Sequence, residues 1–288
     1  MELQNYNKKN YEFKVCRVHN LIDLNKVINN GATMIGIHAV ILDRAKYLLN
    51  EQIYKPLRTD FPFEEKLPIH TLEVDSIKFM QKYIPQNIKP VIIFQKELDV
   101  ELIKKCCRIY NINQNQMCIQ LHHRTNQQYI YSIKKEICNS IIVVVGIFQK
   151  DFSEYFWKVH CSLDPETDYI LIDLSIHQSD LSEYDDKVCK IQKIKEIASM
   201  IKNNKVPIIL ADDTNIKKMK RYIKILKSEN VLIKGIDIQN AVEISKKRQK
   251  YKFFYDVELQ YQVKVRKSVK LLSKWKRFFK KNGKKYFS

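Results

Sequence analysis

The chain has 288 residues, a formal net charge of +19 and only 5 Gly, where average usage of about 7% would supply roughly twenty. A chain this poor in glycine forms few loops whose backbone amides close around a phosphate, so any phosphate it binds falls to side chains. A hydrophobic fraction of 45% is ample for a buried core and excludes general disorder, and no apolar run is long enough for a membrane span.

Residues 1–10 carry no apolar signal core and read as an amino-terminal extension, which makes a cytoplasmic location the expectation. From there, short apolar runs recur at Phe13–Val18, Thr33–Val40, Pro90–Phe94, Met117–Leu121, Ile141–Ile147, Tyr169–Leu174, Val206–Ala211 and Val231–Ile236. Amphipathic stretches with helical spacing separate most of them: Leu21–Asn30, Thr71–Ile84, Glu97–Tyr110, Asn126–Glu136, Asp151–His160, Lys187–Lys202 and Asn215–Lys227. Continuous apolar strands joined by crossover helices imply a parallel sheet covered on both faces. Eight such strands favour a closed α/β barrel, the (β/α)8 TIM barrel, as a single domain over residues 11–288. Punctuation agrees: Asn20 caps the first helix, Gly31 closes it, and Pro90 and Pro207 stand at strand starts. Chemistry in such barrels lies at the carboxyl ends of the strands. That rule selects Cys16, His38, Gln95, His122, Phe148, Asp173, Asp212, Asp213 and Asp237.

Residues 246–288 form a basic tail of net charge +14, leaving only +5 for the 245 residues before it. From Tyr255 to Val265 apolar and polar residues alternate, the period of a half-buried strand, an insertion suited to pairing with a partner or another subunit. From Arg266 to Lys281 the period becomes helical, with Val269, Leu272, Trp275 and Phe279 facing inward as a closing helix. Its outer face collects Lys267, Lys270, Lys274, Arg277 and Lys281, with Lys284 and Lys285 beyond, a candidate contact for nucleic acid or another anionic partner.

Seven Cys without any C-x-x-C spacing, two of them adjacent at Cys106 and Cys107, read as reduced thiols. His122 and His123 are neighbours on a strand end and point to opposite faces, and the other histidines show no ligand spacing, so neither a metal nor a cofactor is expected. Taken alone, Cys16 reads as a small buried hydrophobe. Asp173, directly after Ile170-Leu171-Ile172, must be solvated or paired at the barrel mouth. Asp212 and Asp213 read either as an N-cap pair for the helix at Asn215–Lys227 or as the start of a site for a cation or amine.

Several segments in collinear order carry a family resemblance. Lys14-Val15-Cys16, then Asn20-Leu21-Ile22-Asp23-Leu24, then Gly31-Ala32-Thr33-Met34-Ile35-Gly36 resemble the opening βαβ unit of phosphoribosylanthranilate isomerases. Pro90–Phe94 is similar to the family's third strand, Gln120-Leu121-His122 to its Gln-Leu-His signature, Asp168–Asp173 to its sixth strand, and Pro207–Ala211 and Gly235-Ile236-Asp237 to its seventh and eighth. The resemblance implies an Amadori rearrangement of a small aminosugar phosphate, with Cys16 as general base and Asp173 as general acid. It implies substrate contacts from Arg44, Gln120, His122 and Asp237, to which this chain adds Arg17 as a candidate of its own. The chain departs from the family where Arg17 replaces the usual Gly after the catalytic Cys. It departs again where Ala211-Asp212-Asp213 and Asn240-Ala241 replace the glycine turns that hold the substrate phosphate. Two readings follow: an isomerase of this type, or an inactive, repurposed barrel that binds nucleic acid or protein through its basic carboxyl-terminal region.

Overall fold

The computed structural model describes residues 11–18, 21–38, 82–95, 97–109, 116–174, 188–212, 215–238, 242–245 and 265–287. The eight apolar runs form eight strands: β1 (Glu12–Val15), β2 (Met34–His38), β3 (Lys89–Phe94), β4 (Cys118–Leu121), β5 (Ser140–Gly146), β6 (Tyr169–Asp173), β7 (Ile208–Ala211) and β8 (Ile233–Ile238). Each pairs in parallel with the next, and β8 pairs back onto β1, which closes the barrel. Closure depends on Gly235. It sits opposite Glu12, where a Cβ would lie 2.2 Å from the Glu12 carbonyl oxygen, so the two backbones approach too closely for any side chain.

Side chains alternate along each strand, one set into the barrel and one set under the helices. The outward set forms a continuous core with the helices, including Phe13, Val15, Ile35, Ile37, Ile92, Phe94, Ile119, Leu121, Ile170 and Ile172. The inward set forms a second cluster of Cys16, Met34, Val91, Ile93, Cys118, Ile142, Val144, Tyr169, Leu171 and Ile209. At the amino-terminal end of the barrel this interior turns polar: the Tyr169 hydroxyl donates to Glu12 at 3.0 Å and accepts from Lys89 at 3.2 Å.

The covering helices are α1 (Leu21–Asn29), α2 (Val100–Ile109), α3 (Gln127–Glu136), α4 (Phe152–His160), α5 (Val188–Met200), α6 (Ile216–Ser228) and α7 (Val269–Tyr286). Asn126 and Asn215 cap α3 and α6 by accepting the amides of Tyr129 and Lys218, and Gly31 ends the α1 turn with a φ of 88°. Residues 82–84 form a turn, not the end of a helix, and the remainder of the expected Thr71–Ile84 helix lies outside the described residues. No helix among the described residues is long and apolar enough to cross a membrane.

The tail departs from its expected layout in two places. A short antiparallel pair, β9 (Glu243–Ser245) with β10 (Val265–Lys267), precedes α7, so Arg266 and Lys267 belong to a strand and not to the helix. Lys267 is buried and its amide donates to the Asp23 carboxylate of α1 at 3.1 Å, which removes it from the charged outer face. Helix α7 therefore starts at Val269, capped by the Ser268 hydroxyl on the Leu271 amide. Val269, in that first turn, is exposed, while Phe278 joins Leu272, Trp275 and Phe279 in the core. Tyr11 stacks on Phe279 with ring centres 4.6 Å apart and Phe13 of β1 lies 4.7 Å from the same ring, so α7 covers the β1 side of the barrel. The buried rings of Phe13, Trp275, Phe278 and Phe279 each contribute on the order of 2 kcal/mol through removal from water. Of the Tyr255–Val265 strand expectation, all but Val265 lies outside the described residues.

Candidate active site

Strand β1 enters the barrel with Lys14 and, one residue beyond its end, Cys16, two positions apart and therefore on the same inward face. Register places Lys14 opposite Asp237 of β8. The three side chains meet. Lys14 Nζ lies 2.6 Å from Asp237 Oδ2 and 2.7 Å from Cys16 Sγ, and Cys16 Sγ lies 3.3 Å from the same Oδ2. Lys14 is fully buried, and Cys16 and Asp237 nearly so. Room for the thiol comes from Gly36 on β2, where a Cβ would stand 2.6 Å from Cys16 Sγ.

Burial pushes the Cys16 thiol up to about 12, with the Asp237 charge adding to the rise and Lys14 opposing it. Burial also raises the Asp237 carboxyl above its ordinary value, against the pull of Lys14, and the charge of Asp173 raises it further. For Lys14, burial works to lower the ammonium pKa, but attraction to Asp237 and Cys16 outweighs it and the net shift is upward. The cluster thus sets one ammonium beside a carboxyl and a thiol whose burial favours their neutral forms and whose charged forms Lys14 favours.

Asp173 ends β6 and is largely buried. It pairs in register with Ala211 of β7, and Ala211 pairs with Asp237 of β8. Two carboxylates two strands apart, about 10 Å between backbones, therefore face the interior with only a methyl group between them. Gln120 of β4 shares the inward face of Cys118; it is fully buried, and neither its amide nitrogen nor its carbonyl oxygen has a hydrogen-bond partner. Asp237 Oδ1 is likewise buried without one. Unpaired buried amide and carboxylate atoms each cost on the order of 1–3 kcal/mol.

Other expected site residues stand just past the ends of β1, β4 and β7. Arg17 follows Cys16 with a φ of 56°, so an arginine holds the left-handed turn that a glycine ordinarily serves, at a cost of about 1 kcal/mol. His122 is exposed just past β4, with its amide donating to the Phe94 carbonyl. His123 is half-buried, edge-on to the Tyr129 ring, and burial lowers its pKa. Asp212 does not cap α6, since Asn215 does; its Oδ2 instead accepts from Lys190 Nζ of α5 at 2.9 Å. Arg44 and Asp213 lie outside the described residues, as does the side chain of His38. Lys14 and Gly36, not singled out as site residues in the sequence, are part of the cluster's geometry. The signal for Lys14 was a lysine at an inward-facing strand position two residues before Cys16. Among the described residues, no group of three or more His, Cys, Asp or Glu could hold a metal ion.

No family model and no curated protein sequence matches the chain. Solved structures match its fold. The phosphoribosylanthranilate isomerase of Thermotoga maritima superposes with a TM-score of 0.57 at 14% identity, over 95% of this chain and 98% of that one. The Pyrococcus furiosus N-(5'-phosphoribosyl)anthranilate isomerase gives 0.55 at 14% identity, over 94% and 99%. The Thermus thermophilus enzyme gives 0.54 at 10% identity, over 94% and 98%. A further phosphoribosylanthranilate isomerase, solved in complex with reduced 1-(o-carboxyphenylamino)-1-deoxyribulose 5-phosphate, matches at 0.52 and 14% identity, over 93% and 99%. The chain has the (β/α)8 TIM-barrel fold that these isomerases share.

Proposed function

We propose that the barrel catalyses an Amadori-type aldose-to-ketose isomerisation of phosphoribosylanthranilate or a closely related aminosugar. The observation that carries this reading is the convergence of inward polar groups at the carboxyl ends of β1, β4, β6 and β8, with the Gln120 amide and Asp237 Oδ1 buried and without protein partners. Those atoms suit the hydroxyl groups of a sugar chain, which both donate and accept.

In this mechanism Asp173 protonates the ring oxygen, the bond from that oxygen to the anomeric carbon breaks, and the nitrogen lone pair forms an iminium. The adjacent C2′ proton is then acidic and passes to Cys16, and the resulting enol-amine collapses to the ketone. A thiol raised to about 12 is a poor base until it loses its own proton. The Lys14 cluster supplies a route. Transfer of the Sγ proton to Asp237 Oδ2 moves the single negative charge onto sulfur beside the Lys14 ammonium, and the total charge of the buried cluster stays the same. The substrate phosphate finds a less welcoming end: Asp212 stands in the turn after β7 and already engages Lys190, so the reading favours weak phosphate binding or a substrate without one.

The test is the loss of phosphoribosylanthranilate fluorescence with purified protein, together with rescue of an isomerase-deficient tryptophan auxotroph. Wild-type turnover that disappears in Cys16→Ala and in Asp173→Ala supports the reading. A folded wild-type protein with no turnover on this substrate or on its dephosphorylated form overturns it.

A further inference from the structure

Helices α6 and α7 together contain fourteen Lys and Arg and no Asp or Glu, six basic residues on α6 and eight on α7. Lysine-rich composition alone does not produce this, because each of α1 to α5 carries a carboxylate: Asp23, Glu101, Glu136, Glu154 and Glu196. The two acid-free helices are neighbours. Lys220 Nζ sits 5.6 Å from the centre of the Phe278 ring, and Lys227 Nζ donates to the Lys285 carbonyl at 3.3 Å. Both contacts join residues 58 positions apart, so the helices run parallel and side by side for at least two turns, about 10 Å. Lys217, Lys218, Arg221 and Lys224 on α6 and Lys270, Lys274, Arg277, Lys280, Lys281 and Lys285 on α7 are exposed. None of them enters an ion pair among the described residues.

We propose that the paired α6–α7 face binds the phosphate backbone of double-stranded nucleic acid. The charge complementarity is specific to a polyanion, since cations repeating along two adjacent helices face a partner whose charges also repeat every few ångströms. The apolar side chains select among polyanions. A basic helix that enters a lipid surface needs an exposed apolar face, and that of α7 (Leu272, Trp275, Phe278, Phe279) is spent on the barrel core, as is that of α6 (Met219, Tyr222, Ile223, Leu226). Single strands are held by exposed aromatic rings on which bases stack, and Tyr222, Trp275 and Tyr286 of these helices are buried. What remains is contact with phosphates, which positions a protein on a duplex without reading its sequence. The proposal is independent of the isomerase reading, because it uses the outer wall of the barrel and none of the groups in its interior.

The experiment measures fluorescence anisotropy of labelled duplex DNA and duplex RNA titrated with the full chain, between about 50 and 200 mM salt. Binding of either duplex is expected to weaken steeply with salt. It is expected to fall at least tenfold in the variant Arg221→Glu, Lys224→Glu, Lys274→Glu, Lys281→Glu. A control variant with as many exposed charges changed elsewhere, Lys135→Glu, Lys158→Glu, Lys195→Glu and Lys202→Glu, should keep at least half of the affinity. Single Lys→Ala changes on the face should each reduce the salt slope by about 1. Circular dichroism confirms that each variant folds. No binding of either duplex at the lowest salt overturns the proposal. So do equal losses in the two charge-reversed variants, or tighter association with phosphatidylserine vesicles than with duplex at matched phosphate.

Discussion

Lys14 and Asp237, 223 residues apart in the chain, form a buried ion pair of 2.6 Å inside the barrel, with the Cys16 sulfur 2.7 Å from the same ammonium. Removing the cation leaves a carboxyl and a thiol buried without their counter-charge. Lys14→Met is expected to destabilise the fold by about 3–5 kcal/mol, read as a lower urea midpoint at unchanged slope. The double variant Lys14→Met, Asp237→Leu removes both charges and should recover a large part of that loss. If the double variant is no more stable than the single one, the pair does not act as a charge-balanced unit.

Gly36 holds the thiol in place by absence. An alanine there would put its Cβ 2.6 Å from Cys16 Sγ and 3.1 Å from both Cys16 Cα and Ile93 Cδ1. Gly36→Ala should cost about 1–3 kcal/mol through overpacking and displace the sulfur from Lys14. Adding Cys16→Ala removes the closest clash, so thermal melts of the double variant should show a partial return. Equal melting temperatures for Gly36→Ala and wild type would show that the contact is readily relieved.

The barrel was legible in the sequence because strands buried on both faces are short apolar runs, and eight of them stood between amphipathic stretches. The site was legible only in part. Cys16, Asp173, Gln120 and Asp237 stand late in strands or just past one, but the role of Lys14 depends on the register of β8 against β1, neighbours in the barrel that lie more than 200 residues apart in sequence, a pairing that no local pattern encodes. Lys267 misled for a related reason. Its strand is three residues long, too short to display alternation, and it runs directly into a helix whose spacing reads back through it. At Asp212 a nearer cap residue, Asn215, takes the α6 terminus and frees the carboxylate for Lys190 of a different helix.

Gly235 serves a different need from Gly36, because its neighbour is backbone. An added Cβ would lie 2.2 Å from the Glu12 carbonyl oxygen and 2.8 Å from its carbon, atoms fixed by the β1–β8 ladder. Gly235→Ala is therefore expected to open the seam of the barrel, at a cost of about 3 kcal/mol or more. Gly146→Ala provides the contrast. Its nearest contact is Gln149 Cγ at 3.7 Å, and its stability should stay within about 0.5 kcal/mol of wild type. Parallel denaturation curves test both, and similar losses in the two variants would contradict the assignment of Gly235 to closure.

The buried thiols make the fold sensitive to alkali. Cys16, Cys118 and Cys138 are each pushed up to about 12, chiefly by burial, from an ordinary 9.0. Because the folded values are raised, this contribution is fully present below pH 9, where the thiols are protonated in both states. Above pH 9 the unfolded chain releases protons that the folded chain retains. Each thiol then costs about 1.4 kcal/mol of stability per pH unit, until the folded value near 12 is passed. Tyr129, also raised to about 12 by burial, adds to the same trend from pH 10 upward. Melting temperature should be level from pH 7 to 9 and fall steeply above it. Iodoacetamide at pH 8 should label the exposed Cys161 while these three buried thiols stay unmodified until urea unfolds the chain. Early alkylation of Cys16 in the native protein, located by peptide mass spectrometry, would instead mean that its sulfur already carries the negative charge of the Lys14 cluster in the resting state.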